Sequence, residues 1–121
     1  MSRGWLVLDV ACVVVFVAVG RSVHDHGISA LGLAGTLWPF VAGLVVGWSV
    51  LTVLDWSVTA WRSGFVVAIS TVTVGMCLRA LAGQGTAFAF IAVALGFLGA
   101  TMLAWRIVLA AVQRLRSRRS A

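Results

Sequence analysis

Two residues that could do chemistry inside apolar surroundings are Asp9 and Arg106, which interrupt the first and last long apolar runs of the chain. Ionisable side chains in apolar spans are costly and are the default place to look for function. An Asp and an Arg at similar depth keep each other charged, so we expect an ion pair. Two interpretations stay open: the pair fixes the first span to the last, or Asp9 carries a proton or a cation.

A second polar set follows the first apolar run and ends the third; it consists of Arg21, His24, Asp25, His26 and Arg79. Guanidinium groups offer forked donors that match phosphate or carboxylate oxygens. The set therefore predicts either an anion site, suited to a lipid headgroup, or a polar cap in which Asp25 neutralises the arginines.

His24 and His26 also raise the possibility of a metal or haem. A structural zinc site needs four donors and a catalytic one three, whereas the sequence offers only His24, Asp25 and His26 together. There is no CxxCH motif for covalent haem, and the two cysteines, Cys12 and Cys77, lie alone in apolar runs. We predict no metal and no other cofactor.

The sequence contains no GxSxG, HExxH or phosphate-binding loop. We therefore predict that the protein is not an enzyme. A lipid-directed enzyme with His24 and Asp25 as an acid–base pair is the remaining enzymatic hypothesis.

Composition decides the broad class. The chain has 121 residues, of which 62% are hydrophobic and 10% charged, which excludes an ordinary soluble domain with about 25% charged residues. Four apolar runs, at about 5–23, 37–54, 64–82 and 86–112, have roughly the length that crosses a ~30 Å hydrocarbon core. We predict an all-α integral membrane four-helix bundle over residues 1–113, because backbone groups in lipid must be satisfied internally.

The segment 27–36 precedes the second run and the only proline, Pro39. It is too short to span a membrane. It is either a short re-entrant or interfacial segment, or a kinked extension of the second helix.

The arginines set the predicted orientation. A basic tail, residues 114–121, contains Arg114, Arg116, Arg118 and Arg119. Four spans place both termini on one side, and the excess of arginine there assigns that side to the cytoplasm. We expect the tail to contact anionic lipid headgroups and to bind no nucleic acid, since no nucleic-acid-binding module accompanies it.

Several motifs together resemble one known family. They are Asp9, Gly20-Arg21 with His24, Trp38-Pro39-Phe40 with Gly43 and Gly47-Trp48, Gly75-Met76 with Leu78-Arg79, Gly83-Gln84-Gly85-Thr86, and Trp105-Arg106. Between about Leu8 and Arg106 the chain resembles the small four-span membrane proteins called domain of unknown function 3054, known mainly from actinobacteria and some archaea. The resemblance implies a bacterial plasma-membrane location and carries no activity or ligand.

These features predict a multi-pass plasma-membrane protein, an accessory or scaffold protein whose non-cytoplasmic Arg/His cluster binds an anionic lipid headgroup or a partner protein. The alternative is a small proton- or cation-coupled transporter that uses Asp9 and works as an oligomer. The expected partners are membrane lipids and either further copies of the chain or a larger membrane complex.

Overall fold

The computed structural model describes residues 3–23 and 30–120. Within them, a 3-10 turn at Arg3–Trp5 leads into α1 (Leu6–Val23), which is followed by α2 (Ala30–Leu54), α3 (Trp61–Leu81) and α4 (Phe88–Ser120). These residues contain no strand. The all-α prediction is therefore confirmed.

Three of these helices, α2, α3 and α4, are long and apolar enough to cross a membrane. The length and apolar character of these three helices support a membrane protein. The first helix, α1, has 18 residues and includes Asp9 and Arg21.

The second helix begins earlier than the apolar run predicted, at Ala30 rather than near residue 37, and contains Pro39 in its interior. Residues 30–36 are thus a helical extension, and the re-entrant or interfacial alternative is wrong for them. Residues 27–29 lie outside the described part of the chain. Proline has no N–H for the helical ladder, so the carbonyl four residues earlier, that of Gly35, loses its usual donor. The side-chain Nε2 of Gln84 donates to that carbonyl at 3.1 Å, which satisfies the bond that Pro39 omits.

Glycines allow α2 and α3 to pack backbone against backbone. A Cβ added to Gly43 would lie 2.6 Å from the Cα of Thr71, and one added to Gly47 would lie 3.1 Å from the Cα of Val67. Small residues of this kind let membrane helices approach closely. The Gly43 and Gly47 pair therefore serves contact within the chain.

The fourth helix continues through the basic tail as far as Ser120, beyond the expected end of the last span near residue 112. The arginines of the tail are exposed there: Arg114, Arg116, Arg118 and Arg119. The tail of residues 114–120 is therefore a helical extension.

We expect Gly43→Ala to destabilise the protein by about 1–3 kcal/mol, because the new methyl group overlaps the backbone of α3. The matched control is Gly96→Ala, where an added Cβ meets nothing within 4 Å and alanine is the better helix former. Thermal unfolding in mild detergent measures both. Equal unfolding temperatures for the two variants would contradict the proposed contact.

Candidate functional site

A buried ion pair joins the start of α1 to the second half of α4. Asp9 and Arg106 are both 0% exposed. Arg106 donates from NH1 to Oδ1 of Asp9 and from NH2 to Oδ2, each at 2.8 Å. This two-pronged geometry uses the planar fork of the guanidinium group, which is the strongest form of an Arg–carboxylate contact.

Two indole N–H groups complete the surroundings of the Asp9 carboxylate. Trp48 donates to Oδ2 at 3.1 Å, and Trp105 donates to Oδ1 at 3.0 Å. The guanidinium carbon of Arg106 also lies 4.2 Å from the centre of the Trp105 ring. Each carboxylate oxygen therefore accepts two hydrogen bonds.

The same arginine also holds the loop between α2 and α3. Its Nε donates to the carbonyl of Val58 at 2.9 Å, and NH1 donates to that of Met102 at 3.0 Å. No buried side-chain nitrogen or oxygen in the described residues lacks a hydrogen-bond partner. We call this end of the structure, where α1 begins and α2 ends, the Asp9 end.

Trp48 and Trp105 are the site residues to which the sequence analysis gave no role. The sequence does contain an indication of their role. Each tryptophan lies well inside an apolar run, and its indole N–H needs a hydrogen-bond acceptor when it is buried. Asp9 supplies the acceptor for both.

The arginines of the second polar set lie at the opposite end, where α1 and α3 end, which we call the Arg79 end. Arg21 donates from NH1 to Oγ1 of Thr36 at 2.9 Å. Arg79 donates from Nε to the carbonyl of Gly85 and from NH1 to Oε1 of Gln84, both at 2.9 Å. The other members of the set, His24, Asp25 and His26, lie outside the described residues.

Gln84 links the two sides of the Arg79 end. It accepts from Arg79 through its carbonyl oxygen and donates from its nitrogen to the carbonyl of Gly35 on α2. The loop between α3 and α4 is thereby tied to the carbonyl that Pro39 leaves without a donor. Arg79 is consequently held by two groups of this loop, one of which, Gln84, is itself bonded to α2.

Arg21 and Arg79 line one cavity of about 830 Å³ at this end. Its walls come from α1, α2, α3, α4 and the loop before α4, and its polar side chains are those of Arg21, Thr36, Arg79 and Gln84. The volume lies in the range of about 300–1,000 Å³ typical of ligand pockets, which combine apolar walls with a few placed polar groups.

The described residues contain no group of three His, Cys, Asp or Glu side chains that could hold a metal. His24, Asp25 and His26 lie outside the described residues, so the absence of a metal site remains a prediction. Cys12 and Cys77 are free thiols.

The model of one protein family, described as a protein of unknown function (DUF3054), matches residues 6–109. The chain belongs to the DUF3054 family. The resemblance inferred from the sequence motifs is thereby confirmed. No curated protein and no solved structure matches this DUF3054 protein. The matched region includes both ends described above and excludes the whole basic tail, residues 114–121.

We expect Asp9→Asn to destabilise this DUF3054 protein by about 3–5 kcal/mol, because it leaves Arg106 as a buried charge without its counter-charge. Asp55→Asn is the matched control, since Asp55 is exposed and has a positive φ that Asn also tolerates. Thermal unfolding of Asp9→Asn, of Arg106→Gln and of the two changes combined measures the coupling between the pair, with Asp55→Asn as the control. An unfolding temperature for Asp9→Asn equal to that of Asp55→Asn would contradict a stabilising pair.

Proposed function

We propose that this DUF3054 protein is a membrane-embedded binding protein, not an enzyme, that holds an anionic group such as a lipid headgroup between Arg21 and Arg79. The observation that carries the proposal is that Arg21 and Arg79, from different helices, line one cavity. Arginine is well suited to this task because its donors match phosphate and carboxylate oxygens.

The hydrogen bonds of Arg79 support an anion site. The hydrogen-bond acceptors of Arg79 are the carbonyl of Gly85 and the side-chain amide of Gln84, which are neutral. Within residues 3–23 and 30–120 the acidic residues are Asp9 and Asp55; both belong to the Asp9 end, where Asp9 is committed to Arg106. The third acid, Asp25, lies outside the described residues and is the residue on which the alternative of an internally neutralised polar cap depends.

We propose further that α1 is a fourth span. Its 18 residues correspond to roughly 27 Å at 1.5 Å per residue, close to the ~30 Å hydrocarbon core. Its contacts with α2 and α4 support the same arrangement, since Asp9 bonds to Trp48 and to Arg106. Four spans would give a four-helix bundle with both termini on one side.

The orientation follows from the arginines. Arg62 and the basic tail belong to the Asp9 end, and the excess of basic residues there favours a cytoplasmic location for both termini. The tail would then lie against the anionic inner leaflet of a bacterial plasma membrane. The cavity would lie toward the non-cytoplasmic side.

The transporter alternative, in which Asp9 carries a proton or cation within an oligomer, has weaker support. The carboxylate is 0% exposed and accepts four hydrogen bonds, two of them from Arg106. A carrier residue needs access to both sides of the membrane, and this geometry favours a permanent structural pair.

The anion site predicts that the protein, released from membranes in mild detergent, retains an anionic adduct in native mass spectrometry. We expect Arg21→Gln and Arg79→Gln to reduce the occupancy of this adduct at least tenfold, because each removes one guanidinium group from the cavity wall. Arg62→Gln is the matched control, since Arg62 is exposed and contacts Trp56 at the Asp9 end. A wild-type protein without an adduct, or an adduct equally occupied in all three variants, would overturn the anion site.

Orientation is tested by single cysteines placed in a background that carries Cys12→Ser and Cys77→Ser. A membrane-impermeant maleimide applied to intact cells should label Ala82→Cys, which is exposed at the Arg79 end. It should label Ser117→Cys, in the basic tail, only after the cells are opened. The reverse pattern, or labelling of both positions in intact cells, would contradict the proposed topology.

A further inference from the structure

We infer that the anion held by Arg21 and Arg79 is the headgroup of a single-chain amphiphile, and that its hydrocarbon chain lies in the same cavity. This inference rests on the proposed anion site. It adds the chemical class of the ligand and the direction from which it enters.

The cavity wall has a charged part and an apolar part. Its polar side chains are near the Arg79 end, whereas Phe16 and Val17 of α1 and Phe90 and Val93 of α4 form apolar walls. The guanidinium carbon of Arg79 lies 4.7 Å from the centre of the Phe90 ring, so the charged and apolar parts of the wall meet directly. A ligand that satisfies both parts carries an anionic head on a hydrocarbon chain.

Glycines on two walls leave room for this chain. A Cβ added to Gly20 of α1 or to Gly35 of α2 meets no atom within 4 Å, and both residues line the cavity. Gly43 and Gly75 behave differently, because a Cβ there would lie 2.6 Å from Thr71 and 2.8 Å from Phe40. The glycines of the cavity therefore widen a space, whereas those between α2 and α3 allow helix contact.

The cavity is closed toward the Asp9 end by aromatic rings. Phe16 stacks on Phe90 with ring centres 5.9 Å apart and contacts Phe40 and Phe97 at 5.7 and 5.6 Å. Arg21 lies one and a half turns beyond Phe16 on α1, roughly 7.5 Å along the helix. A longer chain must therefore leave sideways.

An exposed part of the cavity wall belongs to α4. Val93 lines the cavity and is also 60% exposed, and Ala89, one turn earlier on α4, is exposed as well. In a membrane this exposed face of α4 contacts lipid, so the ligand enters from the bilayer. The volume of about 830 Å³ lies in the range of pockets that enclose one drug-sized ligand, so a single hydrocarbon chain fits within it.

The test fills the space for the chain and leaves both arginines unchanged. Gly20→Leu and Gly35→Leu each add a side chain at a residue that lines the cavity. Gly99→Leu is the matched control, because an added Cβ at Gly99 also meets nothing within 4 Å and Gly99 does not line the cavity. Delipidated full-length protein is titrated with an anionic lysophospholipid, a diacyl phospholipid with the same headgroup, and inorganic phosphate. Native mass spectrometry measures occupancy, and thermal unfolding checks that each variant is folded.

We expect the lysophospholipid to bind the wild type and Gly99→Leu equally, and to bind Gly20→Leu and Gly35→Leu at least tenfold more weakly. Inorganic phosphate should compete poorly, because it lacks the chain. One outcome is that Gly20→Leu and Gly35→Leu are folded and bind as the wild type does, while Arg79→Gln loses binding. That result would contradict the placement of the hydrocarbon chain in the cavity but would agree with the headgroup site. Preferred binding of the diacyl lipid or of phosphate would also overturn the single-chain ligand. Failure of the wild type to bind any of the three would overturn the proposed anion site itself.

Discussion

The structure depends above all on the requirement that a carboxylate buried among apolar helices be fully satisfied. Burying a charge without partners costs several kcal/mol, and Asp9 meets that requirement by drawing Arg106, Trp48 and Trp105 to one point. Arg106 in turn fixes the loop at Val58. Three helices and one loop are thereby held in register by a single group, which places α1 against both α2 and α4.

This arrangement makes the two ends of the structure different. At the Asp9 end, α1 and α4 are held together by charge and by the stacking of Trp5 on Trp105, whose ring centres are 6.2 Å apart. At the Arg79 end, the same two helices border the cavity that contains Arg21. The Asp9 end thus contains a fully hydrogen-bonded buried ion pair, and the Arg79 end places two arginines beside apolar cavity walls. The binding role that we propose for the Arg79 end depends on this difference between the two ends.

The Arg79 end has its own organising constraint, which is the missing N–H of Pro39. The carbonyl of Gly35 needs another donor, and Gln84 supplies it while accepting from Arg79. The hydrogen bond that Pro39 omits from α2 thus helps to set the position of Arg79, a candidate ligand-binding residue. Membrane helices tolerate proline when neighbouring groups satisfy the freed carbonyl, and here the neighbouring group belongs to the loop of the proposed site.

The sequence by itself determined the helical class, the apolar helices and the candidate residues, because these depend on local composition and on the cost of charge in an apolar run. It also placed Asp9 and Arg106 at similar depth, since depth follows from residue count along a helix. Only the tertiary structure decided that Trp48 and Trp105 share the Asp9 carboxylate, that residues 30–36 extend α2 through Pro39, and that Arg21 and Arg79 face one cavity. These facts depend on how helices are rotated and packed against one another, which composition and periodicity along one chain do not encode.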